Sequence, residues 1–186
     1  MNHVEHAIEF ALHAHAGMVR KGKNIPYILH PLEVMTIAAG LTHDEDILAA
    51  AVLHDTVEDT DTTLADIERE FGKRTALLVA MESENKRGDL PASQTWQIRK
   101  QETIDLLKTA GRDMKLVCLC DKLANLRELE RDLKEFGDPI WDRFNQKDKT
   151  KQRWYYGSIL EILEKEFPDA PEIEEYRERL AAIFGA

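Results

Sequence analysis

The sequence is poor in cysteine, in long apolar runs and in basic charge, and each shortage removes a class of protein. Its only cysteines, Cys118 and Cys120, leave a disulfide-stapled scaffold without material. One residue apart in a strongly helical stretch, they point to different sides and read as free, partly buried thiols. They also lack the Cys-x-x-Cys spacing of a redox or metal pair. No apolar run approaches the roughly 20 residues of a membrane span, and the opening Met1-Asn2-His3-Val4-Glu5-His6 carries early charge where a leader would be apolar. A soluble, cytoplasmic protein is expected. With 25 Lys/Arg against 35 Asp/Glu the formal charge is -10, which repels DNA, RNA polymers and anionic membranes. A small anionic ligand stays compatible, because a divalent cation and a few clustered Lys/Arg side chains can reverse the potential in one cleft.

No Pro/Gly/Ser-rich linker, repeat or low-complexity segment divides residues 1–186, so a single domain is expected over the whole chain. The fold class is all-α, a compact multi-helix bundle. Val4, Ala7, Ile8, Ala11 and Leu12 form a first helical stripe that stops near Gly17. Pro31 suits the first turn of a second helix, which puts His30 at a helix mouth. Thr42 through Glu45 has the spacing of a capping box for a third helix that runs into His54 and Asp55. Further helices are expected from Thr62/Thr63 to Gly72, Lys73 to Glu84, Ser93 to Ala110 and Asp113 to Phe136, with Asn85–Pro91 the best loop candidate. Asp138-Pro139 predicts the start of a helix running to Phe167, and a last amphipathic helix begins near Pro171. Leu116–Leu119 is β-like in composition, but it runs straight into the helical pattern of Leu123, Leu126 and Leu129 and is read as buried helix.

Chemistry concentrates in His54-Asp55-Thr56-Val57-Glu58-Asp59-Thr60, one imidazole and three carboxylates directly after an apolar helix. If helical geometry persists there, His54 and Glu58 share one face and Asp55 and Asp59 the next, so two groups are free to bind metal while two face water. A solvated helix end is the bland alternative for a lone His-Asp pair. Two other segments weigh against it. His30 follows Pro26-Tyr27-Ile28-Leu29, and Asp121 interrupts an apolar run where an unpaired carboxylate is costly. Two imidazoles and two carboxylates make a mixed N/O set suited to a first-row divalent ion. The basic loop Arg20-Lys21-Gly22-Lys23, just before His30, points to phosphate or base contact through Arg20 and Lys21.

Three ordered pieces, Arg20 with Pro26-Tyr27-Ile28-Leu29-His30-Pro31, then His54 through Thr60, then Asp121-Lys122-Leu123-Ala124-Asn125-Leu126, resemble the HD superfamily. Within it, the chain is similar to the hydrolase domain of the RelA/SpoT alarmone enzymes and their stand-alone small relatives, over at least residues 1–130. The resemblance implies His30, His54, Asp55 and Asp121 as ligands to one divalent transition ion, usually manganese, with Glu58 and Asp59 serving the attacking water. It also implies substrate contact by Lys86 and Asn125 and, from their i, i+4 spacing, by Lys151 and Tyr155; for the tyrosines of this segment the residues themselves favour core packing, since aromatic stripes usually face a core. Met18 and Asn85 depart from the family's glutamine and threonine, and the Arg20-to-Pro26 spacing is one residue longer. The implied activity is metal-dependent removal of 3′-pyrophosphate from (p)ppGpp-type alarmones. Alternatives are another HD nucleotide phosphohydrolase, a 5′-nucleotidase or NADPH phosphatase, and a non-catalytic nucleotide-binding module, whose mark would be a lost ligand or acid. All six such residues are present.

Overall fold

The computed structural model describes residues 2–82 and 90–185. Among them are nine α-helices, one 3-10 segment and no strand; the one β-bridge pairs Val19 with Pro26. The chain forms two compact units, Met1–Glu84 with Leu116–Ala124, and Asn85–Lys115 with Asn125–Ala186.

In the first unit, α1 (His3–Ala14) starts with a capping box that the sequence reading did not flag. The Asn2 side chain accepts the Glu5 N–H at 2.8 Å and the Glu5 carboxylate accepts the Asn2 N–H at 3.0 Å. The expected stop follows at Gly17, whose φ is 77°. Helix α2 (Leu29–Leu41) carries Pro31 in its first turn, as predicted. Helix α3 (Glu45–Leu53) packs against α1, α2 and α5 and is the centre of this unit. Ala49 through Leu53 are all fully buried, and a helix apolar on every side can only be stable when enclosed. Its cap differs from expectation. Thr42 turns its hydroxyl to the Asp44 N–H, and Asp44 caps the helix by accepting the Asp46 N–H, both at 3.1 Å. A carboxylate serves that end better than a hydroxyl, since its charge also meets the positive end of the helix dipole.

Helix α4 (Thr56–Asp59) is a single turn, and α5 (Leu64–Glu82) is broken at Gly72 (φ 85°, ψ 166°), where the sequence signals divide it. The expected loop at Asn85–Pro91 falls mostly outside the described residues, as does Lys86. Helix α7 (Arg112–Phe136) gives its middle to the first unit and its ends to the second. The β-like run Leu116–Leu119 is buried helix, as expected, and the two cysteines form no disulfide and are fully buried where partial burial was expected.

The second unit also holds α6 (Ala92–Thr109), α8 (Lys149–Glu166) and α9 (Pro171–Phe184), with α8 packed on both α6 and α9. Here the reading from Asp138 to Phe167 as one helix is corrected. Asp138–Arg143 is a 3-10 segment that buries Ile140 and Trp141, Phe144 turns extended, and α8 begins later under an Asp148 cap that accepts the Thr150 N–H at 2.8 Å. No described helix is long and apolar enough to cross a membrane.

Candidate metal centre

The end of α3 builds the site. Its last carbonyls lack partners within the helix, and two side chains supply them: His54 Nδ1 donates to the Ala51 carbonyl at 2.9 Å and Thr56 Oγ1 to the Leu53 carbonyl at 2.7 Å. Because a carbonyl can only accept, Nδ1 must carry the proton, and Nε2 of the neutral ring is left with a lone pair. That Nε2 is buried and makes no hydrogen bond. An orphaned imidazole nitrogen in a site this dry is costly unless something electron-poor meets it.

Three further donors converge on it. Asp121 Oδ1 lies 3.1 Å from His30 Nε2 and 3.5 Å from His54 Nε2, while Asp55 Oδ2 lies 3.0 Å from His54 Nε2 and 3.7 Å from His30 Nε2. Ligand atoms of His30, His54 and Asp121 all fall within 4.8 Å of one another. Donors at about 2.0–2.2 Å from one ion stand roughly 3–3.5 Å from each other, so this set needs only small adjustment to share a cation. Electrostatics agrees. Burial alone would lower the His54 pKa, but the neighbouring carboxylates, Asp55 first and then Asp121, raise it well above the usual histidine range. Burial pushes the Asp121 carboxyl up, yet Lys122 and the two imidazoles hold it well below the usual range. Burial likewise works against an ionised Asp55, and His54 and His30 outweigh it, so the Asp55 pKa is lowered. The same two ionised carboxylates that draw a proton to His54 would draw a cation in its place, and the donor set fits a divalent cation.

Residues without an assigned role surround this centre. Lys122 Nζ contacts Asp121 Oδ2 and, at 3.4 Å, Glu82 Oε2. Burial raises the Glu82 pKa, opposed by Lys122. Tyr27 donates its hydroxyl toward Asp55 Oδ2 at 2.6 Å and Asp59 Oδ2 at 3.0 Å. Burial and these two carboxylates push the Tyr27 phenol far above its ordinary range, so it is a donor and not a base. The His15 ring packs against Tyr27 with centroids 4.9 Å apart, and its burial lowers its pKa. Tyr27 stood inside a recognised motif, but its partners lie 28 and 32 residues away, beyond any local pattern.

Other predicted residues are distributed as follows. The helix breaks between His54 and Asp55, so α4 does not continue α3; Asp59 N–H still reaches the Asp55 carbonyl at 2.9 Å. Glu58 and Asp59 line one cleft of about 650 Å³, together with Met18, Asp61, Asp66 and Arg69. In the basic loop, the Arg20 N–H donates to the Ile25 carbonyl and the Tyr27 N–H to the Met18 carbonyl, which sets the Arg20 guanidinium 5.3 Å from the Tyr27 ring centroid; Lys21 is exposed. Three candidates belong to the second unit. Asn125 is half-buried, Lys151 is exposed, and Tyr155, only 3% exposed, packs its ring near Trp96 and Tyr156 under the Lys100 ammonium.

Residues 7–148 match the HD domain family. The Mus musculus protein named guanosine-3′,5′-bis(diphosphate) 3′-pyrophosphohydrolase MESH1 is 42% identical over 129 residues, 67% of this chain and 68% of that protein. A protein named guanosine-3′,5′-bis(diphosphate) 3′-pyrophosphohydrolase from Aquifex aeolicus is 36% identical over 128 residues, 68% of this chain and 18% of that much longer one. Among solved structures, a metazoan ortholog of SpoT, described as hydrolysing ppGpp, superimposes with a TM-score of 0.80 at 26% identity over 100% of this chain and 98% of that one. A Listeria monocytogenes EGD-e protein superimposes with a TM-score of 0.72 at 34% identity, over 87% of this chain and 97% of that one.

Proposed function

Because this chain belongs to the HD domain family, we propose that it is a metal-dependent hydrolase that removes the 3′-pyrophosphate of (p)ppGpp-type alarmones. The observation that carries this is the buried, unbonded His54 Nε2 facing a second imidazole and two carboxylates. The activity named for the relatives supports the choice of substrate. On this reading residues 1–186 form one HD-type domain that works in the cytoplasm, where a nucleotide pool is at hand.

His30, His54, Asp55 and Asp121 would hold one divalent transition ion, manganese by resemblance. When bound, such an ion polarises a phosphoryl oxygen and makes the attacking water more acidic. Asp55 and Asp121 balance its charge, and the Ala51 carbonyl keeps the His54 ring turned so that its lone pair needs no reorientation. Glu58 or Asp59, both on the single turn that follows Asp55, accepts the proton that the water gives up as it attacks phosphorus. Arg20, Lys21, Lys86 and Lys151 are the cations offered to the phosphates, and Asn125 is the amide offered to the nucleoside.

The leaving group tests the reading. Manganese-loaded protein is given ppGpp, a 5′-nucleotide and NADPH, and pyrophosphate and orthophosphate are measured separately. Pyrophosphate from ppGpp is expected, with little product from the others. Orthophosphate released from NADPH or the 5′-nucleotide while ppGpp stays intact would overturn the substrate assignment.

A further inference from the structure

We infer that Tyr27 is a positioning residue whose hydroxyl fixes Asp59 against the metal ligand Asp55. The inference rests on the proposed function in one respect, the role of Asp59 in taking the water's proton. Asp55 and Asp59 stand one turn apart across α4, and their Oδ2 atoms both meet the same phenol oxygen, at 2.6 and 3.0 Å. The backbone alone leaves the Asp59 side chain several rotamers. A fixed donor shared with Asp55 selects one of them.

Tyr27 is itself held in place. It leaves a loop closed by the Val19–Pro26 bridge and by its own N–H to the Met18 carbonyl at 2.9 Å. Its ring meets His15 at 4.9 Å with a 36° tilt, the Arg20 guanidinium at 5.3 Å and the edge of His30 at 6.2 Å. The ring therefore lies beside a candidate phosphate-binding residue and a proposed metal ligand, while its hydroxyl reaches a second proposed ligand and the candidate base Asp59. Removing the hydroxyl alone keeps every ring contact, so Tyr27→Phe isolates the proposed role.

The test compares Tyr27→Phe, Asp59→Asn and the double variant, all loaded with manganese to measured stoichiometry, using ppGpp turnover and crystal structures of the metal-loaded proteins. Tyr27→Phe is expected to lower kcat about 10- to 100-fold, the effect of losing a hydrogen bond to a charged group, with KM changed less than about threefold and metal content intact. The double variant should be no slower than Asp59→Asn alone, because a residue that acts through Asp59 has nothing left to position. In the crystal of Tyr27→Phe the Asp59 carboxylate should leave its place while His30, His54 and Asp55 keep theirs. Full turnover in Tyr27→Phe beside an impaired Asp59→Asn would overturn the positioning role alone, as would losses that multiply in the double variant, a loss reversed by excess manganese, or an unmoved Asp59 carboxylate. Full turnover in Asp59→Asn would overturn both the positioning role and the assignment of Asp59 to the water. A wild type inactive on ppGpp but with Asp59 displaced in Tyr27→Phe would leave the positioning supported and the substrate wrong.

Discussion

At the scale of single residues, the site depends on how each donor is held. His54 is fixed in one tautomer by a carbonyl of its own helix, and Asp121 divides its oxygens, Oδ1 toward the imidazoles and Oδ2 toward Lys122. Lys122 and Glu82 thus form a half-buried pair directly behind the candidate ligand Asp121, joined across 40 positions of sequence. Glu58 is proposed for a different duty. It lines the cleft beside Asp59 without standing among the four donors, so Glu58→Gln should retain metal and fold. If its carboxylate takes the proton of the attacking water, kcat falls by about two orders of magnitude with KM little changed, within the range for general bases. Steady-state kinetics on protein of known metal content measures this, and wild-type turnover in Glu58→Gln would leave the base role to Asp59.

Among the elements, what could be read from sequence is what local chemistry decides. The buried run of α3, the break at Gly72 and the helical nature of Leu116–Leu119 follow from periodicity and from glycine, and all three appear in the structure. The errors arise where two local signals compete or where the partner is distant. Thr42 and Asp44 both offer a cap to α3, and the charged one wins. Pro139 suits a helical first turn, but burial of Ile140 and Trp141 accompanies a tight 3-10 segment that ends at an extended Phe144. The four proposed metal ligands could be named because they fall in three recognisable motifs; Tyr27, Glu82 and Lys122 were not assigned because their contacts are long-range. Gly72 gives the element-scale prediction. A Cβ built there meets nothing within 4 Å, so only the backbone opposes it, and φ 85° with ψ 166° is a region open essentially to glycine. Gly72→Ala should cost about 1–3 kcal/mol of stability by denaturant unfolding; an unchanged midpoint would mean that the kink can be straightened at no cost.

For the whole molecule, charge sets both stability and function. In the second unit, hydrogen bonds from Arg127 and Arg179 lower the Glu175 carboxyl from 4.5 to about 2 against the opposing effect of burial. A carboxyl depressed by folding stabilises the fold fully above its unfolded pKa, and that contribution is lost as pH falls through its folded value. Stability should therefore decline between about pH 4.5 and pH 2, and Glu175→Gln should make that decline shallower in acid titrations followed by circular dichroism. An equally steep decline in the variant would assign acid sensitivity to other carboxylates. The formal charge of -10 works against association with polymeric nucleic acid, while the donor cluster around His54 is the proposed cation site. Titration of manganese into metal-stripped protein, with bound metal and pyrophosphate release from ppGpp followed together, tests that central claim most directly. Turnover should rise in proportion to occupancy and level off at one ion per chain, and His54→Ala should bind weakly and stay inactive. Full turnover by protein shown to contain no metal would contradict the account.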